Sequence, residues 1–393
     1  MLQSVVIVGA GQAGAEAAMA LRQFKFAGEI RLIGREASVP YERPPLSKGF
    51  LTGDVAAERL CFRTADAYAR ANIELILGRE VRALDPAERR VLLDDGYAVT
   101  FDACILATGS AARRLDLPGA ELANIFVLRT IEDAKQLRRG LVPGCRLAVI
   151  GGGYLGLEAA ASARKLGASV TVIEALPSLL SRSASPLTAD ALCRLHRRSG
   201  IEILLGEAVK GFSGELSVES VMLASGRAVA ADLVLVAAGG VAETALAQDA
   251  GIDCANGILT DSDGRTNIDG IYAVGDCANA AQHTGGPHRR LESVQCAVQQ
   301  ARRAAAAVLG LPRPAPKVPY FWSEQFGLKL QIAGLVEPGV STRDEVVGDL
   351  DGDFAVYRFS EDVLLAVEAF NRPRDFIQAQ QRIGMRDAAL PAA

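Results

Sequence analysis

The stretch SVVIVGAGQAG, residues 4–14, decides the fold of the N-terminal part of this chain. Residues 4–9 form a near-continuous apolar run, which is typical of a parallel strand buried on both faces. Gly9, Gly11 and Gly14 follow at the spacing of a turn that leads from a strand into a helix. The Ala-rich composition of residues 13–24 predicts that helix. The stretch therefore predicts the first half of a βαβ unit.

The residues that follow extend this unit to a complete dinucleotide-binding fingerprint. A second strand, EIRLIG, is predicted at residues 29–34, and Glu36 lies 22 residues after Gly14. In such a fingerprint Gly9 allows the tight turn, Gly11 lets the backbone approach a pyrophosphate, and Gly14 lets the helix pack closely on the strand. The free N–H groups of the helix start attract the phosphate, and the acid binds a ribose. We predict a bound dinucleotide; a glycine-rich turn without a nucleotide is the alternative.

The same device occurs a second time. A strand, RLAVI, is predicted at residues 146–150, and another, SVTVIE, ends at Glu174. The turn between them contains Gly151, Gly153, Tyr154 and Gly156. Two complete fingerprints predict two dinucleotides. The alternative is one nucleotide together with a degenerate structural repeat.

The acid of the second fingerprint indicates which nicotinamide nucleotide binds. Glu174 would repel the 2′-phosphate of NADPH, and no Lys or Arg follows it before Arg182. A 2′-phosphate normally needs a basic partner close to this position. We therefore predict NADH, unless Arg182 folds back to supply that partner.

The bulk properties exclude several classes of protein. The chain has 393 residues, which is long enough for two or three domains. A formal net charge of −4 argues against a nucleic-acid binder. No apolar run has the length of a membrane span, and the N-terminus resembles a buried strand rather than a signal peptide, so we expect a cytoplasmic protein. The seven cysteines are scattered and form no C-x-x-C pair, which favours separate reduced thiols over a metal site.

Three further strands are predicted to end in turns that can approach a ligand. Residues 100–110 end in Thr108-Gly109, and residues 232–240 end in an equivalent glycine turn that contains Gly239. Residues 271–278 contain Gly275-Asp276, and an aspartate in such a turn can bind a polyol hydroxyl.

The ordered set of motifs across almost the whole chain resembles one family. The motifs are GAGQAG, PYERPPLSK, ATGS, GGGYLGLE, VTVIE, VGDCA, RLESVQ, FWSEQFGLKLQIAG and FNRPRDF. Together they resemble the NADH-dependent ferredoxin reductases of bacterial cytochrome P450 and Rieske-type oxygenase systems. The resemblance implies an α/β fold of the glutathione-reductase type, with two Rossmann-like nucleotide-binding domains and a C-terminal α+β domain.

The resemblance also implies the domain boundaries. An FAD-binding domain would comprise residues 1–110 and 241–317, an NADH-binding domain residues 111–240, and the C-terminal domain residues 318–393. The proline-rich segment LPRPAPKVP, residues 311–319, is a linker by its composition alone.

The family's functional residues can be carried over to matching positions. The residues implied for FAD are Gly9, Gly11, Gly14, Glu36, Arg43, Lys48, Thr108, Gly109, Asp276, Glu292, Ser293, Val294 and Trp322. The residues implied for NADH are Gly151, Gly153, Tyr154, Gly156, Glu158, Glu174, Arg182 and Gly239. No metal ligand is implied.

Lys48 and Glu158 are the implied catalytic pair. Lys48 ends the stiff segment PYERPPLSK, residues 40–48, and would stand beside the flavin ring. Glu158 is expected at the start of the second helix, where it would pair with Lys48 and link the two nucleotide-binding domains. Arg43 would contact the FAD pyrophosphate. The alternative is that all three are solvated surface charges.

The remaining implied roles concern the flavin's surroundings. Asp276 would bind the ribityl chain. Glu292, Ser293 and Val294 would lie at a helix start near the flavin's pyrimidine edge. Trp322 would cover the ring, with packing in the C-terminal core as the alternative. Cys296 stands where asparagine is more usual; we interpret it as a packing residue, with a redox role left open.

The implied reaction passes two electrons from NADH, by hydride transfer to flavin N5, singly to a [2Fe–2S] ferredoxin. The ferredoxin would dock on a basic rim, and the enzyme would be a monomer or a weak homodimer. The rim candidates are Arg289, Arg290, Arg313, Lys317, Lys329, Arg372 and Arg374, with ordinary surface charge as their alternative. Other functions left open are a rubredoxin reductase, an NADH oxidase, or a redox-responsive binding protein resembling apoptosis-inducing factor.

Overall fold

A computed structural model describes residues 2–282, 287–337 and 339–386. The chain divides into two compact units. The first comprises Met1–Glu42, Glu58–Ala111 and Val241–Lys317, and the second Arg43–Ala57, Ala112–Gly240 and Val318–Ala393. Within the described ranges, no helix combines the length and the apolar composition needed to cross a bilayer.

The elements have the following bounds. The helices are α1 (Gln12–Gln23), α2 (Gly49–Thr52), α3 (Ala65–Arg70), α4 (Ile131–Gly140), α5 (Tyr154–Lys165), α6 (Pro186–Arg198), α7 (Ala245–Asp249), α8 (Val294–Val308) and α9 (Pro373–Gln380). The strands of the first half of the chain are β1 (Ser4–Val8), β2 (Glu29–Gly34), β3 (Ile73–Leu77), β4 (Val81–Asp85), β5 (Arg90–Leu93), β6 (Ala98–Thr100), β7 (Ala103–Leu106), β8 (Ser110–Ala112), β9 (Ile125–Phe126), β10 (Arg146–Ile150) and β11 (Ser169–Glu174). The later strands are β12 (Glu202–Leu205), β13 (Val209–Ser213), β14 (Ser220–Leu223), β15 (Ala228–Ala230), β16 (Leu233–Val236), β17 (Gly240–Ala242), β18 (Ile258–Thr260), β19 (Ile271–Ala273), β20 (Ala278–Ala280), β21 (Tyr320–Gln325), β22 (Leu328–Gly334), β23 (Arg343–Gly348), β24 (Phe354–Ser360) and β25 (Val363–Phe370).

The first unit is built on a parallel sheet with the order β19-β7-β1-β2-β3. The apolar run of β1 lies at its centre because both faces of the sheet are covered. Val5 and Ile7 pack in one core with α1 and α8, whereas Val6 and Val8 pack in another with the antiparallel strands β4, β5 and β6.

The second unit contains an equivalent parallel sheet with the order β12-β11-β10-β16-β9. The antiparallel strands β13, β14 and β15 pack on one of its faces. The same unit also contains an antiparallel sheet with the order β21-β22-β25-β24-β23, whose core includes Phe376 of α9.

Both parallel sheets place a glycine turn at a point where the direction of strand order reverses. From β1 the chain runs to β2 on one side and later to β7 on the other, and β10 has β11 and β16 in the same relation. Ligands of open parallel sheets bind at the carboxyl ends of strands at such a switch point. The predicted α/β class is confirmed.

The strands predicted at residues 29–34, 146–150 and 169–174 are β2, β10 and β11, with the expected bounds. The predicted helix at residues 13–24 begins and ends one residue earlier, as α1. The single strand predicted at residues 100–110 is wrong in its bounds, because the parallel strand β7 comprises only Ala103–Leu106. The chain leaves the antiparallel sheet at Thr100 and enters the glycine turn after Leu106.

Candidate functional site

Two glycines of the first turn are required by the fold itself. Gly9 has a φ of +112°, which side chains rarely adopt, and a Cβ there would lie 2.1 Å from the Ala107 oxygen. A Cβ at Gly14 would lie 1.9 Å from the Gly9 oxygen. Both positions therefore exclude any larger residue because a backbone oxygen occupies the space that a Cβ would need.

Gly11 differs from both because the fold alone does not require it. Its φ is −88°, which any residue adopts, and a Cβ there would meet nothing within 4 Å. It caps α1, whose start has neither a side-chain hydrogen bond to its free N–H groups nor an acid in its first turn. The space beside Gly11 thus fits an anion that comes close to the backbone, as a dinucleotide pyrophosphate does.

The second turn repeats this arrangement position by position. Gly151 has a φ of +109° and a Cβ there would lie 2.4 Å from the Ala237 oxygen. A Cβ at Gly156 would lie 2.2 Å from the Gly151 oxygen, whereas a Cβ at Gly153 would meet nothing within 4 Å. Gly153 caps α5, which begins at Tyr154 and also has no side-chain cap. The two turns therefore offer equivalent open spaces for a nucleotide.

The acids of the two fingerprints lie where their strands end. The Tyr41 hydroxyl donates to Glu36 Oε2 at 2.5 Å. Glu174 is the last residue of β11, and its carboxylate accepts hydrogen bonds from the backbone N–H of Gly152, at 2.7 Å, and of Leu176, at 2.8 Å. The charge of Glu174 is thus held at the second glycine turn.

Arg182 reaches another residue that the sequence assigned to NADH. A Cβ built on Gly239 would lie 3.9 Å from Arg182 Nη2. Gly239 has a φ of +96° in the turn after β16. The structure therefore brings these two predicted residues together beside the end of the parallel sheet.

The strand ends of the first unit place another group of predicted residues. The Thr108 hydroxyl donates to the backbone oxygen of Glu243 at 2.7 Å, and Gly109 has a φ of +75°. Asp276 lies in a 3₁₀ turn at Gly275–Cys277, and the Ser110 hydroxyl donates to its Oδ2 at 3.3 Å.

Arg290 connects Asp276 to the start of α8. Its guanidinium donates to the Asp276 backbone oxygen at 3.3 Å and forms an ion pair with Glu292. Ser293 caps α8, because its hydroxyl accepts from the Cys296 N–H at 3.1 Å, and Val294 is the first helical residue. Glu292, Ser293 and Val294 thus occupy the predicted loop-to-helix junction.

Lys48 and Glu158 form the predicted ion pair. Lys48 Nζ lies 2.7 Å from Glu158 Oε2, and the two side chains are only 19% and 7% exposed. Lys48 follows a 3₁₀ turn at Pro44–Ser47, and its Nζ also donates to the Pro44 oxygen at 2.9 Å. Both residues belong to the second compact unit, so the pair is internal to that unit.

The expectation that Glu158 starts the second helix is wrong. The helix α5 begins at Tyr154, immediately after its glycine cap, so Glu158 is the fifth helical residue. At that position its carboxylate meets groups from two distant segments. Ser47 Oγ donates to Oε2 at 2.6 Å, and Ser323 Oγ donates to Oε1 at 2.6 Å.

Sequence reasoning missed both serines. Ser47 stands next to the singled-out Lys48, and Ser323 next to Trp322, but neither residue type suggests a carboxylate partner by itself. The equivalent acid of the first unit, Glu16, has a different partner: Arg302 of α8, at 2.9 Å. The partner of an acid at this helix position therefore depends on which segment packs against it.

The aromatic residues of β21 alternate between two environments. Phe321 packs on Tyr154 with ring centroids 4.3 Å apart. Trp322 stacks with Tyr320, with ring centroids 5.8 Å apart.

Arg43 Nη1 donates to the Arg129 backbone oxygen, within the second unit.

Most of the predicted basic rim is paired with carboxylates. The pairs are Arg290 with Glu292, Arg313 with Asp263, Lys329 with Glu324, and Arg372 with Asp375. Arg289 pairs through its backbone with Ala280. Arg374 and Lys317 have no carboxylate partner in the described ranges. These pairs reduce the positive charge that the rim offers to a partner.

The thiols are not arranged for redox chemistry. None of the seven cysteines forms a disulfide. Burial raises the pKa of Cys104 to about 12 and that of Cys296 to about 12. Over residues 2–282, 287–337 and 339–386, no group of His, Cys, Asp and Glu side chains is suited to hold a metal ion.

Comparisons with known proteins agree with this geometry. The chain is similar to the chlorobenzene dioxygenase ferredoxin reductase component of Cupriavidus sp. (strain PS12), at 40% identity over 100% of this chain and 95% of that one. It is also similar to a rubredoxin-NAD(+) reductase of Pseudomonas putida, at 38% identity over 94% of this chain and 96% of that one. A crystal structure of the covalent putidaredoxin reductase–putidaredoxin complex matches with a TM-score of 0.94 and 38% identity, over 98% of this chain and 94% of that one.

Two family models match successive parts of the chain. Residues 320–393 match the model described as reductase C-terminal, and residues 3–301 match that of the pyridine nucleotide-disulphide oxidoreductases. The resemblance proposed from the motifs is confirmed. Since the second of these matches covers more than half of its residues, the chain belongs to the pyridine nucleotide-disulphide oxidoreductase family.

Proposed function

We propose that this protein is an FAD-dependent ferredoxin reductase. It passes two electrons from NADH singly to a [2Fe–2S] ferredoxin, which serves a cytochrome P450 or a Rieske-type oxygenase. The observation that carries the proposal is the pair of open spaces beside Gly11 and Gly153, one at each parallel sheet. Each space fits one dinucleotide, so the protein holds both a resident cofactor and an electron donor.

The first glycine turn holds FAD. Gly11 and the start of α1 bind the pyrophosphate, Glu36 binds the adenosine ribose, and Asp276 binds the ribityl chain. When bound, the flavin accepts a hydride and releases the two electrons one at a time. Arg43, Lys48 and Trp322 belong to the second unit, and their contact with FAD is part of the proposal.

The second glycine turn holds NADH. The Glu174 carboxylate stays at the turn through its hydrogen bonds from Gly152 and Leu176, where it accepts hydrogen bonds from the ribose hydroxyls. A 2′-phosphate at that place would meet a fixed negative charge. The protein therefore uses NADH in preference to NADPH.

Lys48 supplies a fixed positive charge near the flavin. Glu158 and Pro44 hold its ammonium in place, and Ser47 donates to Glu158. We expect Lys48→Ala to lower the hydride-transfer rate by about 10²-fold, because a held charge stabilises negative charge that develops during the transfer. Stopped-flow measurement of flavin reduction gives the rate, and a redox titration gives the midpoint potential. Lys165→Ala is the matched control, because Lys165 also pairs with a carboxylate at 2.8 Å but is 65% exposed.

The redox partner is a ferredoxin that docks through charge complementarity. Ferredoxins are usually acidic, so a basic rim would steer the encounter and make it sensitive to salt. Arg374 and Lys317 are the strongest candidates because no carboxylate neutralises them in the described chain; Arg289, Arg290, Arg313, Lys329 and Arg372 contribute less. The protein acts as a monomer or a weak homodimer in the cytoplasm.

The domain division follows from this function. The FAD-binding domain comprises residues 1–110 and 241–317, the NADH-binding domain residues 111–240, and the C-terminal domain residues 318–393. The family model for the C-terminal part, residues 320–393, supports the last boundary.

Anaerobic titration of the purified protein with NADH and NADPH tests the central claim. We expect bound flavin whose absorbance NADH bleaches, and cytochrome c reduction that depends on an added [2Fe–2S] ferredoxin. Absence of flavin would refute the proposal. A strong preference for NADPH would overturn the role of Glu174.

The second candidate is a rubredoxin reductase, which the 38% identical relative favours. Steady-state turnover with a rubredoxin and a ferredoxin at equal concentrations separates the two. Rapid oxygen consumption without either protein would instead indicate an NADH oxidase. Slow turnover with every acceptor would indicate a binding protein that resembles apoptosis-inducing factor.

A further inference from the structure

One face of strand β21 contacts two helices of the second unit, α5 and α6. Alternate side chains of a strand point to the same side, so three of its residues share this face. The pairs are Phe321 on Tyr154, with ring centroids 4.3 Å apart, Ser323 on Glu158, at 2.6 Å, and Gln325 on His196, at 2.6 Å. Tyr154 and Glu158 lie one turn apart on α5, which explains why two strand positions meet one helix.

The hydrogen bonds of this face run in one direction. The carboxylate of Glu158 only accepts, so the single proton of the Ser323 hydroxyl points to it. Ser323 must then accept from Gln325 Nε2, at 2.9 Å. This arrangement turns Gln325 Oε1 towards His196 Nε2, which therefore donates. The result is a chain of donors that leads from His196 to Glu158, in which each bond polarises the next.

Burial makes this chain rigid. His196 is 0% exposed, Ser323 1% and Gln325 4%. Burial lowers the pKa of His196, which keeps the imidazole neutral with one N–H to donate. Its Nδ1 has no hydrogen-bond partner in the described chain, so the whole donor capacity of the ring goes to Gln325. Reversing the direction of the chain would turn the Ser323 proton towards Gln325 and leave Glu158 Oε1 without a donor.

The two oxygens of Glu158 are used unequally. Oε2 accepts from both Lys48 and Ser47. Oε1 accepts from Ser323 and, in the described ranges, from no other group. Removal of the Ser323 hydroxyl would leave a buried carboxylate oxygen without a donor, and the carboxylate would rotate to satisfy it. Such a rotation would displace the Lys48 ammonium.

We propose that Ser323 is a positioning residue whose hydroxyl, oriented by Gln325 and His196, fixes the Glu158 carboxylate so that its other oxygen holds Lys48. The inference rests on the proposed function, because it assigns a role in flavin reduction. It makes the C-terminal sheet part of the machinery that holds the charge.

The test compares Ser323→Ala with the matched variant Ser185→Ala. Ser185 is likewise buried, at 0% exposure, and its hydroxyl also donates to a buried carboxylate, that of Glu368, at 2.6 Å. For Ser323→Ala we expect a hydride-transfer rate about tenfold lower, an NADH dissociation constant within about threefold of wild type, and a more negative flavin midpoint potential. Ser185→Ala should lower the unfolding temperature but keep the rate within about twofold.

Gln325→Leu provides a second variant that leaves the serine in place. It removes the donor that orients Ser323, so we expect the same changes as in Ser323→Ala but smaller. An unaltered rate and potential in Ser323→Ala, while NADH bleaches the wild-type flavin rapidly, would refute only this inference. An equal loss of hydride-transfer rate in Ser185→Ala would show that Ser323 has only a general stabilising role, which would also refute the inference. A wild-type protein without flavin would refute the proposed function and the role of Ser323 with it.

Discussion

At the scale of single residues, glycines of one motif have different reasons for being glycine. A Cβ at Gly14 or at Gly156 would lie only 1.9 Å or 2.2 Å, respectively, from a backbone oxygen of the same unit, so neither position admits a larger side chain. Gly11 and Gly153 adopt ordinary backbone angles and face open space. The first pair therefore serves the fold, whereas the second pair serves a ligand.

This difference predicts opposite effects for two alanine substitutions. Gly14→Ala should lower the free energy of unfolding by about 3 kcal/mol or more, because backbone atoms must move to accommodate the methyl group. Gly11→Ala should lower it by no more than about 1 kcal/mol, the usual cost of alanine at a helix N-cap, and weaken FAD binding instead. Urea unfolding and flavin retention during gel filtration measure the two effects. Full flavin retention in a stable Gly11→Ala protein would contradict the assignment of this space.

The charges of Glu16 and Glu158 illustrate the limit of residue-level reasoning. Each acid lies two positions after the last glycine of its turn. Glu16 pairs with Arg302 on a neighbouring helix, and Glu158 pairs with Lys48. The motif therefore indicates that an acid is present without indicating its partner.

At the scale of elements, the two parallel sheets share a device at the start of their central strands. Asp102 Oδ2 accepts from the backbone N–H of Gln3, at 2.7 Å, and of Ser4, at 2.9 Å, at the start of β1. Asp232 accepts from the backbone N–H of Arg146 at 2.8 Å, at the start of β10, and pairs with its guanidinium. These bonds satisfy backbone N–H groups at the start of each central strand, which would otherwise lack an acceptor.

These aspartates predict an acid-sensitive stability. Hydrogen bonds from Gln3 and Ser4 lower the pKa of Asp102, and the hydrogen bond from the Arg146 side chain lowers that of Asp232. Because each folded pKa lies below the unfolded value of about 3.9, the stabilisation is complete above that pH and is lost as the pH falls through the folded pKa.

Urea unfolding at pH 7 and in steps below pH 4 measures this dependence. We expect Asp102→Asn to be less stable than wild type at pH 7 and to lose less stability on acidification, because one of the linked carboxylates is gone. Asp116→Asn, which changes an exposed carboxylate, should follow the wild-type profile. Identical profiles for all three proteins would contradict the role of Asp102.

The linker interpretation is also decided at this scale. Composition marked residues 311–319 as a linker, yet Arg313 pairs with Asp263 at 2.8 Å and Arg303 donates to the Pro314 oxygen. The first part of the segment is therefore tied to the first unit. Proline and glycine content indicates where regular structure ends, but it does not indicate whether side chains then hold the segment in place.

At the scale of the whole molecule, the thiols separate this protein from the disulphide chemistry in its family's name. The seven cysteines are dispersed over both units and none forms a disulfide. The thiolate is the reactive species, and burial disfavours it at Cys104, Cys277 and Cys296 by raising each pKa. We therefore expect electrons to leave the protein by a route that involves no cysteine.

Alkylation tests this conclusion. Treatment of the folded protein with iodoacetamide near neutral pH should modify the partly exposed Cys61 first and leave Cys104 and Cys277 unmodified, as peptide mass spectrometry would show. Flavin reduction by NADH and electron transfer to a ferredoxin should be unchanged. Loss of either activity in proportion to labelling would show that a thiol takes part.

The family was predicted from the resemblance of its ordered motifs. The sequence by itself determined the two glycine turns and their strands. It did so because these features depend on local sterics and on apolar patterning, which act over a few residues and are visible in the chain. The Lys48–Glu158 pair was also predicted, but only through the family resemblance, since its members are 110 residues apart.

Only the tertiary structure decided what surrounds Glu158. Ser47 and Ser323 lie 111 and 165 residues from it, and His196 lies 129 residues from Gln325. Serine and glutamine are common on strands and turns, so no local pattern marks them as partners of a carboxylate. Their role arises from the packing of β21 against α5 and from the contact of Gln325 with His196 of α6, which bury polar groups together and oblige each donor to find an acceptor.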